Sequence, residues 1–259
     1  MKYDLASVLI KHIKELYYIL DKYNISDKLQ FVSVAETDLV FQKAVLMSVG
    51  YIGELSKKLN DGIKQSNLSV NWRRLGTSRN IIFHDYDIVD MEIISSVVFK
   101  DISALKLMKE VDSNDIQQAL TLVDEMFSDF VGADYSERGN NIFKNGLKSI
   151  YDEFPSGLIS ERKKIWVCYQ NGKIIGVIAT KDISHISLMF VDSQYHKKGV
   201  ARYMFNHVLN EVKKNDGINQ ITVNSSPYAV KAYESLGFVK TSEQQEKDGI
   251  IFTPMIRAL

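Results

Sequence analysis

Two short runs in this sequence hold side chains that could do chemistry. Arg79-Asn80-Ile81-Ile82-Phe83-His84-Asp85-Tyr86 places an Arg and a His five positions apart. That pair suits a phosphodiester. A His moves a proton to or from a 2′-hydroxyl or a leaving oxygen near neutral pH, and an Arg clamps phosphate and offsets the charge that builds in the transition state. The second run, His196-Lys197-Lys198-Gly199-Val200-Ala201, lies between an apolar segment at 186–191 and a helical pattern at 200–212. Gly199 lets a ligand approach the backbone closely. The helix start offers free N–H groups and a positive dipole end, and two lysines add charge. This shape suits a pyrophosphate.

Each run must be held by elements that the pattern predicts. On a regular helix, residues five apart point roughly 140° apart, so Arg79 and His84 need not share a face. A two-fold dimer axis would bring two copies of each together. Lys57, Lys58, Lys64, Arg73, Arg74 and Arg79 gather around the run, with Asp61 the one acidic residue between 57 and 79, and Asp85, Asp87, Asp90 and Glu92 follow. Leu9, Ile13, Leu16, Leu20 and Tyr23 recur at helical spacing. A second helix is expected over 37–64, with Val40, Ala44, Met47, Gly50 or Tyr51, Leu55 and Leu59 inward. A short helix ending near His84 and another over 89–109 complete an antiparallel bundle. The apolar stripe at Leu9, Ile13, Leu16 and Leu20 must be covered, and a domain of this size covers only part of its own apolar surface. A homodimer through these helices is therefore expected.

After a polar break at 110–115 the pattern changes. Asp112 or Ser113 is the expected N-cap of a helix over 116–127, and a helix over 141–153 follows. Strands are expected at 164–169 and 173–180, joined by a hairpin turn at Asn171-Gly172, and again at 185–191, 220–223 and 249–255. Helices are expected at 200–212 and 229–236, the latter stopped by Gly237. The result is a two-domain chain: an all-α antiparallel helical bundle over 1–108 and an α/β domain over 109–259.

Bulk properties exclude little. The 259 residues are 45% hydrophobic and 25% charged, enough to build proper cores, and the net charge is zero. Composition therefore points to neither nucleic acid nor membrane. The single cysteine, Cys168, allows no disulfide within the chain. No stretch approaches the ~18 apolar residues a membrane helix needs. A soluble, cytoplasmic protein without a metal site is expected.

The segments HISLMFVDSQYHKKGVARYMF and ITVNSSPYAVKAYESLGF resemble the GNAT family of N-acetyltransferases, over about the last 150 residues. The family's phosphate loop begins with Arg or Gln; here that position is His196, a departure. The resemblance implies a mixed, splayed central sheet and transfer of an acetyl group from acetyl-CoA to a small-molecule or protein amine. It puts the pyrophosphate on His196, Lys197, Lys198, Gly199, Val200 and Ala201, and the cofactor arm along Met189, Val191 and Asn224. Tyr233 falls at the position that protonates the departing thiolate. Asp192, Glu125, His185 or a water held by one of them remain open as the base. Asp129, Asp134, Tyr135 and Glu137 fall where the fold shapes its acceptor cleft, which hints at a cationic substrate.

YIGELSKKL and VNWRRLGTSRNIIFHDYDIVD, with Gly53-Glu54, Trp72 and the Arg-x4-His-x-Tyr run, resemble the HepT-like branch of the HEPN superfamily over about residues 1–107. These are small helical ribonuclease toxins. The resemblance implies RNA as substrate and Arg79 and His84 as the catalytic pair. Tyr86 matches a position that a partner nucleotidyltransferase antitoxin modifies with AMP. Two readings stay open: a metal-independent ribonuclease in a toxin–antitoxin-like fusion, or a catalytically silent dimerisation or regulatory module attached to an acetyltransferase.

Overall fold

A computed structural model of the chain describes residues 4–84, 89–154 and 163–259. The chain forms two compact units, Met1–Lys109 with Tyr169–Lys173, and Glu110–Cys168 with Ile174–Leu259.

The first unit runs α1 (Leu5–Lys22), α2 (Lys28–Thr37), α3 (Leu39–Lys57), α4 (Asp61–Ser66), α5 (Trp72–His84) and α6 (Met91–Ser96), which widens into a π-helical turn at Val97–Ile102. Asp4, Asp27, Asp38, Asn60 and Asp90 each accept from first-turn amides of the helix that follows. These caps satisfy N–H groups that the helix itself leaves unpaired. They also break the expected helix over 37–64, because Asp38 starts α3 and Asn60 starts α4.

The predicted stripe on α1 is real, but it is covered differently from the expectation. Leu9, Ile13, Leu16 and Leu20 are at most 3% exposed within the single chain, so they need no second copy. On α3 the expected inward face is corrected in part: Gly50 and, beyond the helix, Leu59 are buried as expected, but Phe41, Val45, Val49 and Ile52 are buried where Val40, Met47 and Tyr51 are exposed. The α3 sequence LVFQKAVLMSVGYIGELSK is apolar on two faces, so periodicity cannot choose between them. Close packing chooses. A Cβ on Gly53 would stand 2.7 Å from the Leu75 carbonyl oxygen, and one on Gly50 would stand 2.7 Å from the Phe83 ring. The bare backbone at these two positions lets α5 lie directly against α3.

The expected helix over 89–109 ends early. Buried Asn67 accepts from the Lys106 N–H at 2.8 Å and donates to the Lys106 carbonyl at 3.0 Å. This holds the chain extended, and a short strand, β1 (Leu107–Glu110), follows.

The second unit adds α7 (Ile116–Phe130), α8 (Glu137–Glu153), β2 (Lys164–Gln170), β3 (Lys173–Lys181), β4 (His185–Val191), α9 (Val200–Val212), β5 (Gln220–Ser225), α10 (Val230–Ser235), β6 (Val239–Lys240), β7 (Gln245–Lys247) and β8 (Ile250–Ala258). The N-cap of α7 is Asp115, not Asp112 or Ser113; Asp112 accepts instead from the Asn114 N–H. Asn171 and Gly172 both have positive φ, 54° and 71°, as a tight hairpin turn requires. The sheet order is β1-β2-β3-β4-β5-β8-β6, with β7 paired to β8. Met204 of α9 seats over Gly176 of β3, where a Cβ would stand 2.7 Å from its sulfur. No described helix is long and apolar enough to cross a membrane.

The β4–β5 junction sets up the site. β3 and β4 pair antiparallel, but Ala179 faces Leu188 while Thr180 faces Ile186, so Ser187 is an extra residue on β4. Such a bulge bends its strand and increases local twist. β4 then pairs with β5 in parallel only at His185–Thr222 and Ile186–Val223. The two strands part at the residue where the bulge begins.

Three outcomes follow from this packing. Gly53→Ala should destabilise the helical unit by about 1–3 kcal/mol through overpacking, read as a fall in urea midpoint. Gly146 in α8 has open space around it, so Gly146→Ala should instead stabilise by about 0.5–1 kcal/mol. The His207 Nε2 is buried without a hydrogen-bond partner, and burial, with Lys214 adding to it and Glu211 opposing, lowers its pKa below the usual histidine value. The folded state therefore favours the neutral ring. Its contribution to stability is present above the unfolded pKa and is lost as pH falls through the folded one. His207→Leu should flatten the decline in melting temperature between pH 7.5 and 5.

Candidate functional site

A cavity of about 630 Å³ opens where β4 and β5 part. It is lined by Ile186–Val191 of β4, by Val223 and Asn224 of β5, by the loop and first turn of α9, and by Ser226, Tyr228, Ala229, Ala232 and Tyr233 around α10. Its far wall comes from Met126, Phe127, Phe130 and Val131 at the end of α7, Tyr135 beyond it, and Phe143 of α8.

The loop before α9 is shaped for an anion. Lys197 and Gly199 take left-handed φ values of 59° and 77°. Gly199 is the residue just before α9, and nothing lies within 4 Å of where its Cβ would be. As at any helix start, the first-turn amides have no carbonyl one turn back, so they are available to a ligand. Of the residues expected to hold a cofactor, Met189, Val191, His196, Lys197, Gly199, Val200, Ala201 and Asn224 all line this cavity. Lys198 does not; its ammonium lies 5.4 Å from the Tyr195 ring. Met189 and Val191 face Ile178 and Gly176 across the β3–β4 ladder, two residues apart and past the bulge.

The departing His196 has a definite job. Its Nε2 lies 2.8 Å from the Val191 carbonyl oxygen. A carbonyl oxygen only accepts, so Nε2 carries the proton and donates. The ring thereby ties the loop to the end of β4, and it leans on Phe130 with 5.1 Å between ring centres.

Tyr233 is 4% exposed, packs edge-on against Phe238 and lines the cavity. Burial pushes its phenol above the usual tyrosine value, so the proton stays on throughout the neutral range. The expected bases are elsewhere. Asp192 caps a short turn by accepting from the Gln194 N–H, Glu125 is exposed, and His185 pairs with Thr222 at 2.8 Å. Burial, then Lys181, lowers the His185 pKa against the opposing pull of Asp182. None of the three lines the cavity, nor do Asp129, Asp134 or Glu137, all exposed; Tyr135 does. No Asp or Glu is among the described lining residues. Sequence reasoning missed the bulge at Ser187, the lining residues Ser226 and Tyr228, and the aromatic wall. The only signal for Ser187 was one polar residue inside an apolar strand.

In the helical unit, Arg79 projects from α5 toward α3. Its Nε lies 3.3 Å from Glu54 Oε2, and its guanidinium lies 5.6 Å from the Phe83 ring. Glu54 also meets Lys57 and Lys58 at 3.8 and 3.7 Å. The close packing allowed by Gly53 brings this pair together. His84 ends α5, but its side chain, together with Tyr86, Asp85 and Asp87, lies outside the described residues. The basic patch is smaller than its count, because Arg74 forks onto buried Asp101, which also accepts from the Asn71 N–H at 3.1 Å.

Comparisons with known proteins bear on both units. Residues 131–259 match the family described as acetyltransferase (GNAT) domain, and residues 9–111 match ribonuclease HepT-like. Among solved structures, a GCN5-related N-acetyltransferase from Rhodopseudomonas palustris is 16% identical with a TM-score of 0.50, over 59% of this chain and 94% of its own. The PaiA N-acetyltransferase from Thermoplasma acidophilum, solved with coenzyme A, is 14% identical with a TM-score of 0.49, over 60% and 99%. A spermidine N-acetyltransferase from Vibrio cholerae, solved with CoA and spermine, is 15% identical with a TM-score of 0.43, over 59% and 95%. At 16% identity the likeness to the Rhodopseudomonas palustris structure speaks to fold alone. The chain thus carries a GNAT acetyltransferase domain over 131–259 and a HepT-like ribonuclease domain over 9–111.

Proposed function

We propose that the C-terminal unit transfers an acetyl group from acetyl-CoA to a primary amine. The observation that carries this reading is the parting of β4 from β5 beside an open, glycine-bounded helix start. A pyrophosphate fits there because Gly199 leaves the space a Cβ would fill and the first-turn amides face it. Backbone groups of β4 past Ile186 have no register with β5 and can pair with an extended amide-bearing arm, as an added strand would. Acetyl-CoA supplies an activated acyl group. The chain's own residues orient it, exclude water with an apolar wall, and aim a β4 amide at the developing oxyanion. Tyr233, held protonated by burial, donates its proton toward the leaving sulfur.

Several outcomes follow for the full-length chain. Acetyl-CoA should raise the melting temperature, by mass action on the folded state. Gly199→Val should abolish that rise, since the position has positive φ and a branched side chain would enter the phosphate space. Tyr233→Phe should lower kcat by roughly 10²-fold or more, with the acetyl-CoA KM nearly unchanged. With no described carboxylate on the lining, kcat/KM should rise about tenfold per pH unit below the acceptor's pKa, following its free-base fraction. Absence of a thermal shift at millimolar acetyl-CoA would sink this reading.

For the helical unit we propose a metal-independent ribonuclease that works as a homodimer, with His84 moving the proton and Arg79 stabilising phosphate charge. Supporting this is an exposed apolar stripe of Val40, Met47 and Tyr51 on α3, continued by exposed Phe83 of α5, whose ring lies 6.4 Å from Tyr51. The stripe borders Arg79, so a two-fold contact through it would bring two Arg79 residues near one axis. Met47→Glu with Tyr51→Glu should convert a dimer to a monomer by light scattering. Cleavage of single-stranded RNA should persist in EDTA and vanish in Arg79→Ala and His84→Ala. A dimer that leaves RNA untouched would favour the rival reading, a silent dimerisation module.

A further inference from the structure

Acyl transfer requires the thioester and the amine to meet at one point, so the cavity must receive both. The phosphate loop and the β4 edge make the wall that suits the cofactor. What remains for the acceptor is a wall of rings. Phe127 stacks on Phe143 with 3.7 Å between ring centres and meets Tyr135 at 5.5 Å. Phe143 reaches Phe190 of β4 at 6.1 Å, and Phe130 meets Tyr228 at 5.1 Å. All six line the cavity. Its charge runs the other way from what a polycation needs. Lys197 and Arg202 are on the lining, no Asp or Glu is among the described lining residues, and Glu125, Asp129, Asp134 and Glu137 are exposed. A polyamine would bring several ammonium groups to a site with cations and no carboxylate among its described lining residues. A single amine on an apolar body buries that body against the rings, and its one positive charge can rest on a ring face before the proton leaves.

We propose that the acceptor is a monoamine carried on an aromatic or comparable apolar body, the arylalkylamine class, and not a polyamine or a lysine-rich peptide. This rests on the acetyl-transfer reading above. In the step, the ammonium first loses one proton to solvent. The amine nitrogen then forms a bond to the thioester carbon, the C–S bond breaks, and the second amine proton balances the one that Tyr233 gives to the departing sulfur. The products are an N-acetyl amide and free CoA. Phe143 and Phe130 are the residues that select the body of the substrate.

The test measures free-thiol release by the full-length chain with phenethylamine, tyramine and spermidine as acceptors. It also measures the melting temperature of the CoA-loaded protein with each amine. We expect kcat/KM for phenethylamine to exceed that for spermidine by about tenfold or more, within the range a hydrophobic pocket can discriminate. Phe143→Leu should raise the phenethylamine KM several-fold and leave the acetyl-CoA KM unchanged, and Phe130→Leu should also raise the phenethylamine KM. A preference for spermidine overturns the proposal, as does an unchanged phenethylamine KM in both variants. If acetyl-CoA stabilises the chain but phenethylamine is neither turned over nor adds to the thermal shift, this proposal alone falls. If acetyl-CoA itself fails to bind, the reading beneath it fails.

Discussion

The parting of β4 from β5 is the constraint on which the C-terminal half depends. A β-strand inside a sheet must satisfy its N–H and C=O groups on both sides. β4 does so with β3 along its length, but with β5 only at His185 and Ile186. The extra residue, Ser187, bends it away at that point. Everything around the opening is arranged by this separation. The loop at 195–199 starts α9 at the far end of the gap, β5 and α10 bring Asn224 and Tyr233 to its other edge, and the end of α7 closes it with rings.

The loop is held by a second interaction that the family pattern would not have suggested. With histidine at the first position, the imidazole N–H bonds the last carbonyl of β4 and fixes the loop to the strand. Phe130, whose ring is tilted against it at 5.1 Å, belongs to the aromatic wall. One residue thus links the turn before α9 to the apolar wall. The aromatic character of that wall explains why the exposed carboxylates of the α7–α8 segment do not define the chemistry inside. They belong to the same stretch of chain but face water, as charged groups do unless burial brings them a partner.

In the helical unit, steric permission plays the role that strand separation plays in the other. Gly50 and Gly53 remove the Cβ atoms that would hold α5 away. The resulting approach brings Arg79 onto Glu54 and leaves α3 with an unburied apolar face. Arg74, one helical turn nearer the start of α5, is occupied by Asp101 in a buried fork, which is structural because a buried carboxylate without its partner would be costly. Two arginines five residues apart on one helix therefore have different meanings, set by which element each one faces.

Much was legible in the sequence because it is encoded locally. The strand at 185–191, the helix at 200–212 and the Asn-Gly hairpin stand as the pattern predicts, since hydrophobic period, positive-φ residues and caps act over a few positions. The shape of the loop before α9 was legible for the same reason: a glycine, its basic neighbours and a helix start are contiguous. Tertiary structure alone decided the rest. It chose which face of α3 is buried, because that helix is apolar on both and only the approach of α5 discriminates. It ended the last helix of the bundle early, because Asn67 reaches Lys106 from 39 positions away. It excluded Asp192, Glu125 and His185 from the cavity lining and put rings where sequence proximity suggested carboxylates. Side-chain direction at a given position follows from packing against distant segments, and no local pattern of residues carries that information.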